Sequence, residues 1–222
     1  MGVSELPDAA AQRKVLASPF LDALPISGLA ISVLNREDKP TLLYASDSVA
    51  ARLEELHFDL GEGPLFDCVA SGNAILVPDV ANAHDWPMFL SDAQDMSTAA
   101  LYVFPLTLGA VSIGAVLCHS SIPDTFGPDD AALGSALSRA IAGPALRLAV
   151  SMAGGGDADD ATPIETRREV HQATGMVLLQ LNSTATDAFA RMRAYAFSNG
   201  ISLREVAKNV LAHDLDFSAL KD

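Results

Sequence analysis

The side chains best suited to chemistry lie in the C-terminal quarter of the chain: Arg167, Arg168, Arg191, Arg193, Arg204 and Lys208. Guanidinium forks and an ammonium carried on helices suit phosphate oxygens and base edges. Gly175 sits in mid-helix, where glycine costs about 1 kcal/mol relative to alanine, so close approach of another helix or backbone is the expected return. The same cations also suit an ordinary solvated surface, with Arg204, Glu205 and Lys208 forming local pairs.

Catalytic chemistry has little to build on. There is no Walker-type phosphate loop, no Gly-x-Ser-x-Gly elbow and no His-Glu-x-x-His motif. Asp67 beside Cys68 and Asp79 near His84 are chance-level neighbours, so no enzyme is expected. Cys68 and Cys118 stand far apart in apolar surroundings and read as reduced, buried thiols.

The net charge of −14 opposes binding to nucleic acid, but it is unevenly distributed. Residues 1–162 carry 7 Lys and Arg against 21 Asp and Glu, whereas residues 163–222 carry 7 of each. Only the neutral segment can meet a phosphate backbone. No apolar run approaches the ~18 residues needed to cross a bilayer, and Met1–Ala11 lacks a signal-peptide pattern, so no membrane contact and a cytoplasmic location are expected.

Three glycines, three aspartates and a proline between Ala153 and Pro163 mark a linker at residues 153–163. It separates a first domain at residues 10–152 from a second at residues 164–217. Gly28 to Leu34 and Thr41 to Ala45 read as a hairpin around the turn Asn35 to Pro40. A helix capped by Asp47 or Ser48 follows, with Val49, Leu53 and Leu56 on one stripe. Ala74 to Val77, Leu101 to Leu106 and Val111 to His119 bring the strands to five. The segment Asp79 to Ser97 reads as irregular, folding over one sheet face. A helix from Pro128, kinked by Pro144, runs to Met152 and could pair with its copy in a dimer.

The second domain reads as three amphipathic helices. The first runs from Pro163 to Leu181, with Val170, Ala173, Val177, Leu178 and Leu181 facing one way. The second opens on the capping box Thr184 and Asp187 and stops at Asn199-Gly200. The third opens on Ser202 and Glu205 and carries Leu203, Val206, Val210 and Leu211. Tyr195 either packs in this core or offers a ring for stacking.

Leu60-Gly61-Glu62-Gly63-Pro64, Val77-Pro78-Asp79, Trp86-Pro87 with Phe89, Phe104-Pro105-Leu106 and Ile113-Gly114-Ala115 together resemble a GAF domain. His171-Gln172-Ala173-Thr174-Gly175-Met176, Asp187-Ala188-Phe189 with Arg193 and Ala196, Ser202-Leu203 and Val206-Ala207 resemble an ANTAR domain. The order of the two halves resembles actinobacterial regulators. The resemblance implies an α+β fold: a GAF-type antiparallel sheet with flanking helices, followed by a small three-helix ANTAR domain. It further implies a homodimer that binds RNA stem-loops and prevents a terminator from forming. The implied RNA face comprises Arg167, Arg168, Thr174, Gly175, Arg191, Arg193, Arg204 and Lys208. Thr174 where such domains carry lysine, and His213-Asp214 at the end of the third helix, lower the expected affinity for RNA.

The GAF resemblance also implies a small-molecule pocket, placed here at Phe66, Trp86, Phe89, Met96, Val103 and His119, although these residues suit an ordinary core equally well. The cofactor, if any, stays unidentified. Haem has only the unsupported ligands His57, His84 and His119, and a cyclic nucleotide lacks cations for its phosphate. Two rivals stay open: a helix-turn-helix-like DNA-binding regulator centred on Ser202 to Val210, and a protein-interaction module with a GAF dimerisation domain.

Overall fold

The computed structural model describes residues 9–34, 40–154 and 163–220. The chain divides into two compact units, Met1–Asp157 and Ala158–Asp222. Most of the expected linker, residues 155–162, and the hairpin turn at residues 35–39 lie outside the described residues.

The first unit is built on a five-stranded antiparallel sheet: β1 (Gly28–Leu34), β2 (Pro40–Ala45), β3 (Ile75–Val77), β4 (Ala100–Leu108) and β5 (Val111–Ser120). Their order is β2-β1-β5-β4-β3, with β1 and β2 paired as the expected hairpin. Successive side chains on a strand point to opposite faces, so β4 and β5 feed two cores at once. Tyr102, Phe104, Val116 and Cys118 pack with Phe20 of helix α1 (Ala9–Ala23) and with Ile141 and Ala145 of helix α5 (Pro128–Gly154). Leu101, Val103, Ala115 and Leu117 pack on the other face with Leu53 and Leu56 of α2 (Ser48–Leu60), Leu65 and Cys68 of α3 (Pro64–Ser71), and Phe89 and Leu90 of α4 (Pro87–Asp95).

Between β3 and β4 the expected irregular stretch is instead a 3₁₀ turn, Val80–Asn82, followed by α4. Trp86-Pro87 supplies the start, because proline is preorganised for the first helical turn. The helix expected to end at Met152 runs two residues further: α5 continues through Pro144 to Gly154, at the start of the expected linker. Asp47 rather than Ser48 caps α2, accepting from the Ala50 N–H at 2.9 Å.

The second unit holds α6 (Pro163–Leu181), α7 (Ala185–Asn199) and α8 (Leu203–Leu211). Thr184 and Ser202 cap α7 and α8 through the N–H groups of Asp187 and Glu205. Gly200 closes α7 in the left-handed region. Val170, Ala173 and Val177 of α6, Ala188 and Met192 of α7, and Val206 and Val210 of α8 are all buried and form the core of this unit. A C-terminal turn covers its end: the Phe217 N–H donates to Gln180 Oε1 at 3.1 Å, and the Phe217 ring meets Tyr195 edge-on at 5.5 Å.

Candidate functional site

The cations of the second unit are spread over three helices with different commitments. Arg191 is exposed on α7. Arg193, half-buried two residues on, holds its guanidinium 5.9 Å from the Phe189 ring centre, a cation–π arrangement. Arg204 on α8 places Nε 3.4 Å from Glu169 on α6, joining two helices rather than pairing within its own. Both partners are part-exposed, so the bridge contributes at most about 1 kcal/mol. Lys208 is exposed in the last turn of α8. The Arg167 and Arg168 side chains lie outside the described residues.

Thr174 requires a correction, because it is buried and turned into the helix interface. Its hydroxyl donates to the Val170 carbonyl at 2.7 Å and lies 3.7 Å from Met192 Sδ, which keeps it within the helix interface rather than on the surface. Gly175, the next residue, is exposed, and a Cβ built on it would meet no heavy atom within 4 Å. Close packing within this unit is therefore not what its hydrogen side chain serves. Tyr195 packs against Phe217, which favours the core role over stacking. Sequence reasoning passed over Phe197, which stands 67% exposed on α7. Its spacing of four from Arg193 was the signal that could have found it.

In the first unit, the expected pocket residues Phe66, Trp86, Phe89, Met96 and Val103 gather in one apolar cluster beneath α2, α3 and α4. Phe89 and Val103 are fully buried. Trp86 takes φ +49, a left-handed conformation uncommon for a bulky residue, and its Nε1–H donates to Asp67 Oδ2 at 2.9 Å. It also lines a groove of about 590 Å³ beside β3 with Asp67, Asp79 and Asp85. Three carboxylates there would repel an anionic ligand, consistent with the case against a cyclic nucleotide.

His119 departs from the expected pocket for a physical reason. Its Nε2 lies 3.2 and 3.3 Å from the two Asp47 carboxylate oxygens, which ties the end of β5 to the cap of α2. Burial works against the charge on Asp47. The Ser46 hydroxyl, the Ala50 N–H and His119 outweigh it and hold the carboxyl below its ordinary value. Gly28 lies directly beneath, and a Cβ there would run into Asp47, His119 and Ser46.

His57 is fully enclosed. Its Nδ1 lies 2.9 Å from the Leu53 carbonyl and its Nε2 accepts from the Leu65 N–H at 3.1 Å, so the ring is neutral, with the proton on Nδ1. Burial pushes its pKa down to about 3. Both nitrogens are committed, which removes His57 as a haem ligand. The ring also sets the need for Gly63: at φ +127, a Cβ on that residue would lie 2.7 Å from His57 Cδ2.

Among the described residues no group of three or more His, Cys, Asp or Glu could hold a metal ion, and no helix is long and apolar enough to cross a membrane. The two cysteines are buried on opposite faces of the sheet. Burial pushes the Cys68 thiol up to about 12 and raises Cys118 as well, so neither supplies thiolate near neutral pH.

A family model described as the ANTAR domain matches residues 161–211. Those residues are an ANTAR domain. The ANTAR match spans α6 and α7 and ends with α8 at Leu211, so Glu169, Gly175, Arg191, Arg193, Arg204 and Lys208 all belong to the ANTAR domain. The N-terminal part has the fold of GAF domains. It is similar to the GAF domain of the cyanobacteriochrome TePixJ, with a TM-score of 0.51 and 16% identity over 68% of this chain and 96% of that one. The GAF domain region assigned to a membrane protein of Geobacter sulfurreducens PCA gives a TM-score of 0.52 and 14% identity, over 63% of this chain and 95% of that one. A domain assigned to a two-component sensor histidine kinase protein of Sinorhizobium meliloti 1021 gives 0.52 and 15%, over 68% and 100%. At these identities the likeness is one of fold. A comparison with curated protein sequences matches none.

Proposed function

We propose that this GAF–ANTAR regulator binds stem-loop RNA through its ANTAR domain and thereby prevents transcription termination. The observation that carries the reading is the ANTAR match over residues 161–211, which coincides with the segment that escapes the chain's acidic excess. Arg191 and Lys208 are exposed, and the Arg193 guanidinium faces an aromatic ring, an arrangement suited to phosphate and base contacts together. The GAF-fold unit acts as the sensing input. A small molecule entering the Phe66, Trp86, Phe89, Met96 and Val103 cluster would displace α4 from the sheet.

Dimerisation is the second part of the proposal. A groove of about 640 Å³ between α1 and α5 is lined by Val15, Leu16, Pro144 and Leu148, and Val15 and Val150 are more than 60% exposed. A second copy seated there would bury this apolar surface and bring two ANTAR domains to one RNA. The test is transcription in vitro across a terminator preceded by paired stem-loops. The protein should raise read-through in a dose-dependent way, and read-through that does not change with protein would refute the function.

A further inference from the structure

Phe197 is the largest exposed aromatic of the ANTAR domain, at 67% exposure, on a helix that otherwise sorts its residues cleanly. Ala188, Met192 and Ala196 of α7 are buried, so Phe197 does not belong to the core stripe. Its neighbours Ser198, Asn199 and Gly200 are polar or small and exposed, as suits the end of a helix. Nothing in the fold calls for an aromatic ring at this position.

Its register gives the position meaning. Phe189, Arg193 and Phe197 follow one another at intervals of four along an uninterrupted helix, so they share one face, each one turn beyond the last. Arg193 already holds its guanidinium over the Phe189 ring at 5.9 Å. Phe197 therefore continues a row of flat, stacking-competent groups toward solvent, with a positive charge at its centre. Single exposed apolar residues are common on protein surfaces and mean little by themselves. An aromatic in line with a guanidinium–aromatic pair, in the segment 163–222 where cations and carboxylates balance, has a chemical complement: an unpaired nucleobase, whose π-face stacks on the ring while its phosphate meets the cation.

We propose that Phe197 is a base-stacking residue that holds one unpaired base of an RNA loop against the Arg193 side of α7. The inference rests on the RNA-binding reading above and goes beyond it by assigning a readout of unpaired bases to a named side chain. It makes the protein discriminate loops from closed duplexes, because a paired base cannot present its face to the ring.

The test uses the full chain and the tightest-binding member of a synthetic pool of RNA hairpins with randomised loops. Phe197→Ala should weaken binding roughly tenfold at every salt concentration, leaving the slope of log affinity against log salt unchanged, because no phosphate contact is lost. Arg193→Gln should instead make that slope shallower. Phe197→Tyr should keep the affinity and Phe197→Leu should lose it, which separates stacking from plain apolar burial. Removing the loop base contacted by Phe197 should weaken the wild type about tenfold and leave Phe197→Ala unaffected. Equal binding by the wild type and Phe197→Ala overturns this assignment alone, as does full affinity in Phe197→Leu or a change in self-association without a change in RNA binding. Failure of the wild type to bind any hairpin overturns the RNA-binding reading and this assignment with it.

Discussion

Replacing Gly175 with alanine should stabilise the ANTAR domain and weaken its hold on RNA. The residue lies within α6, which spans Pro163–Leu181, and a Cβ there meets no heavy atom within 4 Å. No steric cost offsets the helix-propensity gain, which for glycine to alanine in a helix interior is about 0.8–1 kcal/mol. In a unit the size of residues 158–222, a gain of about 1 kcal/mol raises the midpoint of thermal unfolding by roughly 4–8 °C. Scanning calorimetry of the full chain would resolve the transition of the C-terminal unit, and gel shift on hairpin RNA would report binding. If close approach of an RNA backbone is what the glycine permits, the more stable variant binds less tightly. A variant that melts lower would refute the reasoning, because it would show that this face is packed against a second copy or another part of the chain. A variant that melts higher and binds equally well would leave the stability argument standing and remove Gly175 from the RNA face.

Three further outcomes follow from the geometry. His57 is held neutral with a folded pKa of about 3 against an ordinary 6.5, so its contribution to stability is complete above about pH 6.5 and is lost as pH falls toward 3. Denaturant titrations should show a limiting loss of about 1.4 kcal/mol per pH unit from this group, absent in His57→Gln. Gly28→Ala should destabilise the GAF-fold unit by about 1–3 kcal/mol, because its methyl collides with Asp47, His119 and Ser46; an unchanged urea midpoint would count against that packing. On the proposed dimer, Val150→Glu should lower the sedimentation coefficient without altering the fold, and an unaltered coefficient would exclude the α1–α5 face as the interface.

The three ANTAR helices were legible because their ends are written locally. Thr184 with Asp187, Ser202 with Glu205, and Asn199-Gly200 are short-range signals that need no tertiary context. The sheet was legible for a related reason, since each strand is a compact apolar run next to a turn. Helices α1, α3 and α4 left weaker traces. Pro19 interrupts the pattern of α1, and α3 and α4 are short segments beginning at Pro64 and Pro87, where proline reads as easily as a turn.

The candidate site was less legible, because its details depend on contacts distant in sequence. The bridge between Arg204 and Glu169 spans 35 residues, and the pair of His119 with Asp47 spans 72. Thr174 was misplaced because a hydroxyl at a core-facing position looks like a surface group until its bond to the Val170 carbonyl is seen. Phe197 was missed for the converse reason: an aromatic reads as core until its exposure is known.

The central claim is that the ANTAR domain meets RNA through a surface of modest charge. An electrophoretic shift of the full chain on hairpin RNA, at two salt concentrations with duplex DNA of the same sequence as competitor, tests it most directly. Binding that prefers the hairpin and weakens as salt rises is the predicted result. Binding to neither nucleic acid at low salt, or displacement by the duplex competitor, would contradict it.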